Sequence, residues 1–300
     1  MEDNPAISWS YNEAFCRNIG LISPEEQQKI KKARIAIAGV GGVGGHYLLT
    51  LARTGFEHFN IADFDHFEVA NFNRQAGATI ETIGMHKAEA MKKMALSINP
   101  QADIKVFDQG ISKDNITEFL KDVDVVLDGV DFFNIETRRL LFREAGARGI
   151  YAITSGPMGF SATLQVFAPQ GMGFDEYFDI NDNLSEIDKL IAFGLGLAPR
   201  AIHLKYIKSS SIDLTKQTGP SLGLACQFCS ALVTTEVMNI ILKRRKIRAV
   251  PYYFQFDPYL QVYKQGYLSW GNRNPIQRLK RWYVKKYFLK NSEDNKRLKP

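Results

Sequence analysis

The stretch Arg34 to Gly45, RIAIAGVGGVGG, constrains the fold more than any other part of the chain. Ile35, Ile37, Val40 and two alanines form a short uncharged apolar run, the composition of a strand buried on both faces. Glycines follow at 39, 41, 42 and 44, and an apolar helical pattern runs through Val43, Leu48, Leu49 and Leu51. Strand, glycine turn and helix together are the context that a phosphate-cradling loop requires. The glycines let the backbone come close to an anion, and the new helix offers unpaired N–H groups and the positive end of its dipole.

The units that follow repeat the theme. His58 to Asp63 reads as a second strand finishing on an acid, 24 residues after Gly39, where a dinucleotide fold places its ribose carboxylate. Gly39, Gly41 and Gly44 also satisfy G-x-G-x-x-G, and alone these features would suggest a nicotinamide or flavin protein. Residues 63–75, DFDHFEVANFNRQ, and Lys87 argue otherwise, because Arg74 and Lys87 suit a site that must neutralise several phosphate charges. Helices are expected at Ser23 to Lys32, with Ser23 as N-cap, at Lys87 to Ile98, stopped by Asn99-Pro100, and at Lys113 to Lys121. Strands are expected at Ala102 to Phe107, at Val123 to Leu127 and near Thr154. Asp131, just past the strand ending in Asp128-Gly129, either holds Mg²⁺ with phosphate oxygens or caps the helix starting around Asn134.

The combination of GVGGVG, DFDxxxxxNFNRQ, GxxK and the acid after VVLDG resembles the ThiF/MoeB family, the ubiquitin-activating-enzyme-like adenylyltransferases, over roughly residues 15 to 265. The Ser8-to-Ile19 arm with RNIGLI resembles that family's N-terminal arm. The resemblance implies an α/β, Rossmann-like fold: a mostly parallel sheet with helices on both faces, plus a smaller antiparallel portion. It implies an adenylation domain over 1–270, with a nucleotide-binding half at about 30–155 and a substrate half at about 156–270. It further implies that a substrate carboxylate attacks the α-phosphorus of ATP.

By the same resemblance Gly39, Gly41, Gly42 and Gly44 cradle the nucleotide and Asp63 binds the ribose, with Asp65 facing the same crevice. Asn71 and Arg74 contact nucleotide or phosphate, Lys87 holds phosphate and Asp131 binds Mg²⁺. Arg17 would be an arginine finger supplied by a partner subunit, which implies a homodimer. The favoured substrate is the C-terminus of a ubiquitin-like or sulfur-carrier protein. A carboxylate on a tRNA base, or on a small molecule or peptide, is the alternative. Other rivals are a nicotinamide-binding protein and a non-catalytic family member.

Departures from the family narrow this. Only three cysteines occur, and the single C-x-x-C pair, Cys226 and Cys229, lies in the apolar run Ser221 to Leu242. That run reads as a buried helix and not a membrane span, and two thiolates with no nearby histidine cannot complete a zinc site, so no zinc is expected. No cysteine lies between Cys16 and Cys226, which argues against a thioester step and for adenylation alone. Low cysteine usage and a polar, acidic start point to a reducing, cytoplasmic setting.

Residues 172–218, with acids at Asp175, Glu176, Asp179 and Asp182, carry little pattern and are where substrate choice would reside. His203 reads as a packed or surface histidine. The net charge of +6 belongs to the tail: residues 273–300 hold ten Lys/Arg and two Asp/Glu, so the body sums to −2. In that tail Ile276, Leu279, Trp282, Tyr283 and Tyr287 recur at helical spacing among Lys and Arg, including Lys290. Such a helix could lie on RNA, on an anionic membrane, against a partner or on its own body.

Overall fold

A computed structural model describes residues 9–207, 211–213 and 217–297, the side chains of 287–297 excepted. Ser8, the Tyr287 and Lys290 side chains and most of the Ser-rich stretch after Tyr206 lie outside the described residues. In chain order the elements are α1 (Tyr11–Ala14), α2 (Pro24–Lys32), β1 (Arg34–Ala38), α3 (Gly42–Thr54), β2 (His58–Ala62), α4 (Lys87–Ile98), β3 (Asp103–Phe107), α5 (Ile116–Phe119), β4 (Val125–Asp128), α6 (Ile135–Ala147), β5 (Tyr151–Thr154), β6 (Pro157–Met158), β7 (Ser161–Phe167), α7 (Phe174–Phe178), α8 (Glu186–Leu197), α9 (Gly223–Leu242), β8 (Tyr252–Asp257), β9 (Val262–Tyr267) and α10 (Pro275–Arg297).

One nine-stranded sheet carries the fold, in the order β3-β2-β1-β4-β5-β7-β8-β9, with β6 paired to β7. The first five strands are parallel. β7, β8 and β9 are antiparallel. Within β1, Ile35 and Ile37 enter one apolar core with α2, α3, α4 and α9. Ala36 and Ala38 enter the other, with α5 to α8. Side chains of a strand alternate faces, so the four-residue apolar run Ile35 to Ala38 must be covered on both.

Local chemistry sets the boundaries. α2 opens with a full capping box, Ser23 accepting from the Glu26 N–H and Glu26 from the Ser23 N–H. α4 spans the expected Lys87–Ile98. The helix expected at Lys113 to Lys121 is a single turn, Ile116–Phe119, because Asn115 spends its side chain on the loop before it. Its Oδ1 accepts from the Ser112 N–H and its Nδ2 donates to the Gly110 carbonyl. The strands expected from Ala102 and Val123 begin instead at Asp103 and Val125.

α9 is apolar and long enough to cross a membrane by composition. In the fold Cys226, Cys229, Val233 and Val237 bury it in the core beside α3. Its C-x-x-C pair is a pair of buried free thiols. Burial pushes the Cys226 thiol up to about 11 and the Cys229 thiol higher still.

Candidate active site

The carboxyl ends of β1, β2 and β4 converge on one cleft of about 160 Å³. Open α/β sheets bind ligands at such a crest. Gly39 has φ +84°, and a Cβ there would stand 2.3 Å from the Gly129 carbonyl oxygen. A Cβ on Gly44 would stand 1.8 Å from the Gly39 carbonyl oxygen. The turn is therefore built by backbone touching backbone, which only glycine permits. The N-cap of α3 is Gly41, which offers no side-chain cap, so its first N–H groups are left for an anion.

The acid after β2 is held by this turn. Asp63 Oδ2 accepts from the Val40 N–H at 2.8 Å and its Oδ1 from the Asp65 N–H at 3.0 Å. Burial raises the Asp63 pKa, and the two N–H bonds oppose that rise. Lys87, at the start of α4, is buried, and its ammonium reaches Asp65 Oδ2 at 3.0 Å. Its own N–H donates to the Asp65 carbonyl at 2.8 Å, so lysine and loop are fixed together.

The third wall is the loop after β4. Asp128 is buried at the strand end, and Arg138 of α6 is buried against it, Nε to Oδ2 at 2.8 Å. The Thr154 hydroxyl donates to the same oxygen at 2.7 Å. The Arg138 guanidinium also donates to the carbonyls of Val130, Asp131 and Phe132, and lies 4.5 Å above the Phe193 ring. One arginine thus straps the loop that presents Asp131. Asp131 is exposed at the cleft, and its Oδ1 accepts from the Phe133 N–H at 2.9 Å. It is not the helix cap; Asn134 is, accepting from the Thr137 N–H.

Gly39, Gly41, Gly42, Asp63, Asp65, Lys87 and Asp131 line the cleft. Gly44 lies beneath it as packing. Asn71 is buried, its Oδ1 accepting from the Glu68 N–H. The Arg74 guanidinium turns to the Ala70 carbonyl and to Asn73 Oδ1. Neither Asn71 nor Arg74 lines the cleft; they shape the turn that delivers Gln75.

Gln75 was no candidate in the sequence, yet it lines the cleft beside Gly41, and its buried Oε1 has no partner among the described residues. Only the final Q of NFNRQ signals it. Arg17 is remote: Asn18 and Tyr11 bond the Thr54 and Gly55 carbonyls, at the far end of α3. Thirteen helical residues put that arm about 20 Å from the glycine turn. Arg17 is exposed, with no partner among the described residues.

A mostly parallel sheet, a glycine turn on a helix N-terminus, a buried acid after β2 and a buried lysine define a Rossmann-like α/β protein. The chain belongs to the ThiF family, whose model matches residues 15–268. It is 32% identical over 151 residues to tRNA threonylcarbamoyladenosine dehydratase of Haemophilus influenzae, covering 50% of this chain and 57% of that protein. It is 30% identical over 176 residues to the probable adenylyltransferase/sulfurtransferase MoeZ of Mycobacterium tuberculosis, covering 56% and 44%. The chain spans about half the length of the curated relatives it matches. Among solved structures, PaaA superposes with a TM-score of 0.66 at 20% identity, covering 88% of this chain and 85% of that one. E. coli MccB with ATP gives 0.63 at 18%, covering 88% and 72%. At such identities these structures speak for the fold.

Proposed function

We propose that this chain is an ATP- and Mg²⁺-dependent adenylyltransferase that activates a carboxylate, the C-terminus of a ubiquitin-like or sulfur-carrier protein being the favoured substrate. The observation that carries the reading is the convergence of the glycine turn, Asp63, Lys87 and Asp131 on one cleft. Asp63 uses one lone pair of each oxygen on the backbone and keeps the others for ribose hydroxyls. The bare α3 terminus and Lys87 offset phosphate charge. Gln75 Oε1 is a spare acceptor at the same wall.

Among the described residues no cluster of three metal-binding side chains exists. Asp131 would hold Mg²⁺ together with phosphate oxygens, where the ion neutralises charge on the triphosphate. In the reaction a substrate carboxylate oxygen bonds to the α-phosphorus while the bond to the bridging oxygen breaks and pyrophosphate leaves. The chain contributes position and charge, not covalent chemistry.

The nucleotide half is assigned to about 30–155, the substrate half to about 156–270 and the basic tail to 271–300. Arg17, far from its own cleft, would serve a second copy as an arginine finger, which makes the active form a homodimer. The three free thiols suit the reducing cytoplasm.

The test is ATP–pyrophosphate exchange, with carrier proteins, carboxylate-bearing tRNA and short peptides offered in turn. Exchange stimulated by a carrier but not by its C-terminally amidated form is the expected result. ATP with Mg²⁺ should raise the melting temperature and NAD should not, since only a ligand of the folded state stabilises it. Stabilisation by NAD alone would overturn the adenylation reading.

A further inference from the structure

The last helix sits on the body the wrong way round. Folded back on a protein, an amphipathic helix normally buries its apolar stripe. Among the described residues of α10 the inward side is mostly polar, Val284 being its one half-buried aliphatic residue. Gln277 and Lys280 donate to the Pro199 carbonyl at 3.4 and 2.6 Å, Arg281 pairs with Asp179 at 3.3 Å, and Lys285 with Asp188 at 2.8 Å. Just before the helix Arg273 pairs with Glu176. These contacts fix the rotation of the helix and point the other side outward. That side carries Ile276, Leu279 and Tyr283, at i, i+3 and i+7, with Trp282 alongside. Each is between 59% and 65% exposed.

Charge surrounds this apolar stripe. Arg278 and Lys286 are exposed beside it, and the Lys286 ammonium lies 5.2 Å over the Trp282 ring. The acids of 175–188 nearest the helix are matched by its own cations, while the exposed Asp182 shares Arg139 with Asp175 and Glu136 and keeps that side of the body acidic. Asp175 and Asp182 bind Arg139, and Asp179 and Asp188 bind the helix itself.

We propose that the outward face of α10, centred on Leu279 and Trp282, is a membrane-binding surface that lies in the plane of an anionic bilayer. Exposed aliphatic and aromatic residues flanked by cations, here Arg278 and Lys286, are what an interfacial helix inserts between lipid headgroups. The cations match the negative potential of phosphatidylglycerol or phosphatidylserine, each adding to binding near the surface. Nucleic acid fits the cations and the aromatic rings, but Ile276 and Leu279 have nothing to stack on a base. The surface is independent of the adenylation chemistry and would hold the enzyme where its substrate or product meets a membrane.

Co-sedimentation of the full chain with vesicles tests this. Vesicles of phosphatidylcholine with phosphatidylglycerol should bind it about tenfold better than phosphatidylcholine alone, and raising salt from about 0.1 to about 0.5 M should weaken that binding severalfold. The double variant Leu279→Gln, Trp282→Gln, which keeps every charge, should lose about tenfold. Both residues are exposed, so the variant's melting temperature should stay unchanged, which separates lost insertion from lost folding. Binding that persists undiminished in this variant means charge alone acts and overturns insertion. No vesicle binding, together with tight binding of a single-stranded RNA or with self-association lost in the variant, overturns the membrane in favour of that partner.

Discussion

Arg138 answers for more of the site than any residue that touches the cleft. It pairs with a buried carboxylate and turns its remaining donors to four carbonyls between Val130 and Asn134. Arg138→Met leaves the Asp128 carboxylate buried without its cation and should cost about 3–5 kcal/mol. Adding Asp128→Asn should recover part of that loss, and urea midpoints of the single and double variants measure both. A single variant within about 1 kcal/mol of the parent would show that the strap is not needed. His203 gives the pH dependence. Burial drives its pKa from 6.5 down to about 4, while Asp257 pulls weakly the other way. The unfolded chain therefore binds the proton first, and this stability is full above the unfolded pKa and falls as pH drops toward about 4. Between pH 7 and 5 the loss should be on the order of 2 kcal/mol. His203→Gln should flatten that slope; an unchanged acid slope would assign it elsewhere. Asp63, the glycines and Lys87 were legible because each occupies a fixed place relative to a strand end or helix start. Gln75 and Arg138 were not, since a lone glutamine or arginine carries no period, and their burial is created by packing across the sheet.

At the level of elements, the β1–α3 turn is the least forgiving joint. Gly44→Ala places a methyl against the Gly39 carbonyl and should cost about 3 kcal/mol or more. Gly146, inside α6 with open space around its Cβ position, is the control. Gly146→Ala should be neutral or stabilise by about 0.5–1 kcal/mol. Thermal melts of the two variants side by side decide whether the close approach or mere helix propensity rules. The thiols of α9 are core packing, so the double change of Cys226 and Cys229 to Ala should keep activity within about tenfold once stability is allowed for. One zinc per chain in protein purified without added metal would contradict that. α4 was legible almost to the residue because Asn99-Pro100 stops it. α5 begins three residues later than its composition suggests because Asn115 folds back on its own loop, a choice no periodicity reports. For α10 the sequence showed the helix and its apolar stripe but not the inward side, which Asp179, Asp188 and Pro199 select from distant parts of the chain.

For the molecule as a whole, the prediction concerns assembly. If Arg17 completes a neighbour's cleft, Arg17→Ala should lower turnover by about 10²–10³ while nucleotide binding changes little. Mixing it with Asp131→Ala should restore some activity, because one cleft of each mixed pair regains both residues. If subunit exchange is confirmed and the mixture stays inactive, Arg17 does not act across copies. A last consequence belongs to Gly39 and Gly129, which face each other across β1 and β4. A Cβ on Gly129 would stand 2.2 Å from the Gly39 carbonyl oxygen, and one on Gly39 about as near the Gly129 oxygen. Neither position can gain a side chain first and be rescued by the other, because each oxygen in the way is main chain. A laboratory selection that randomises both codons should return the glycine pair alone. The crest of the cleft is then closed to stepwise drift, and new specificity in such a scaffold has to arise at walls such as Gln75, whose side chains can still be exchanged one at a time.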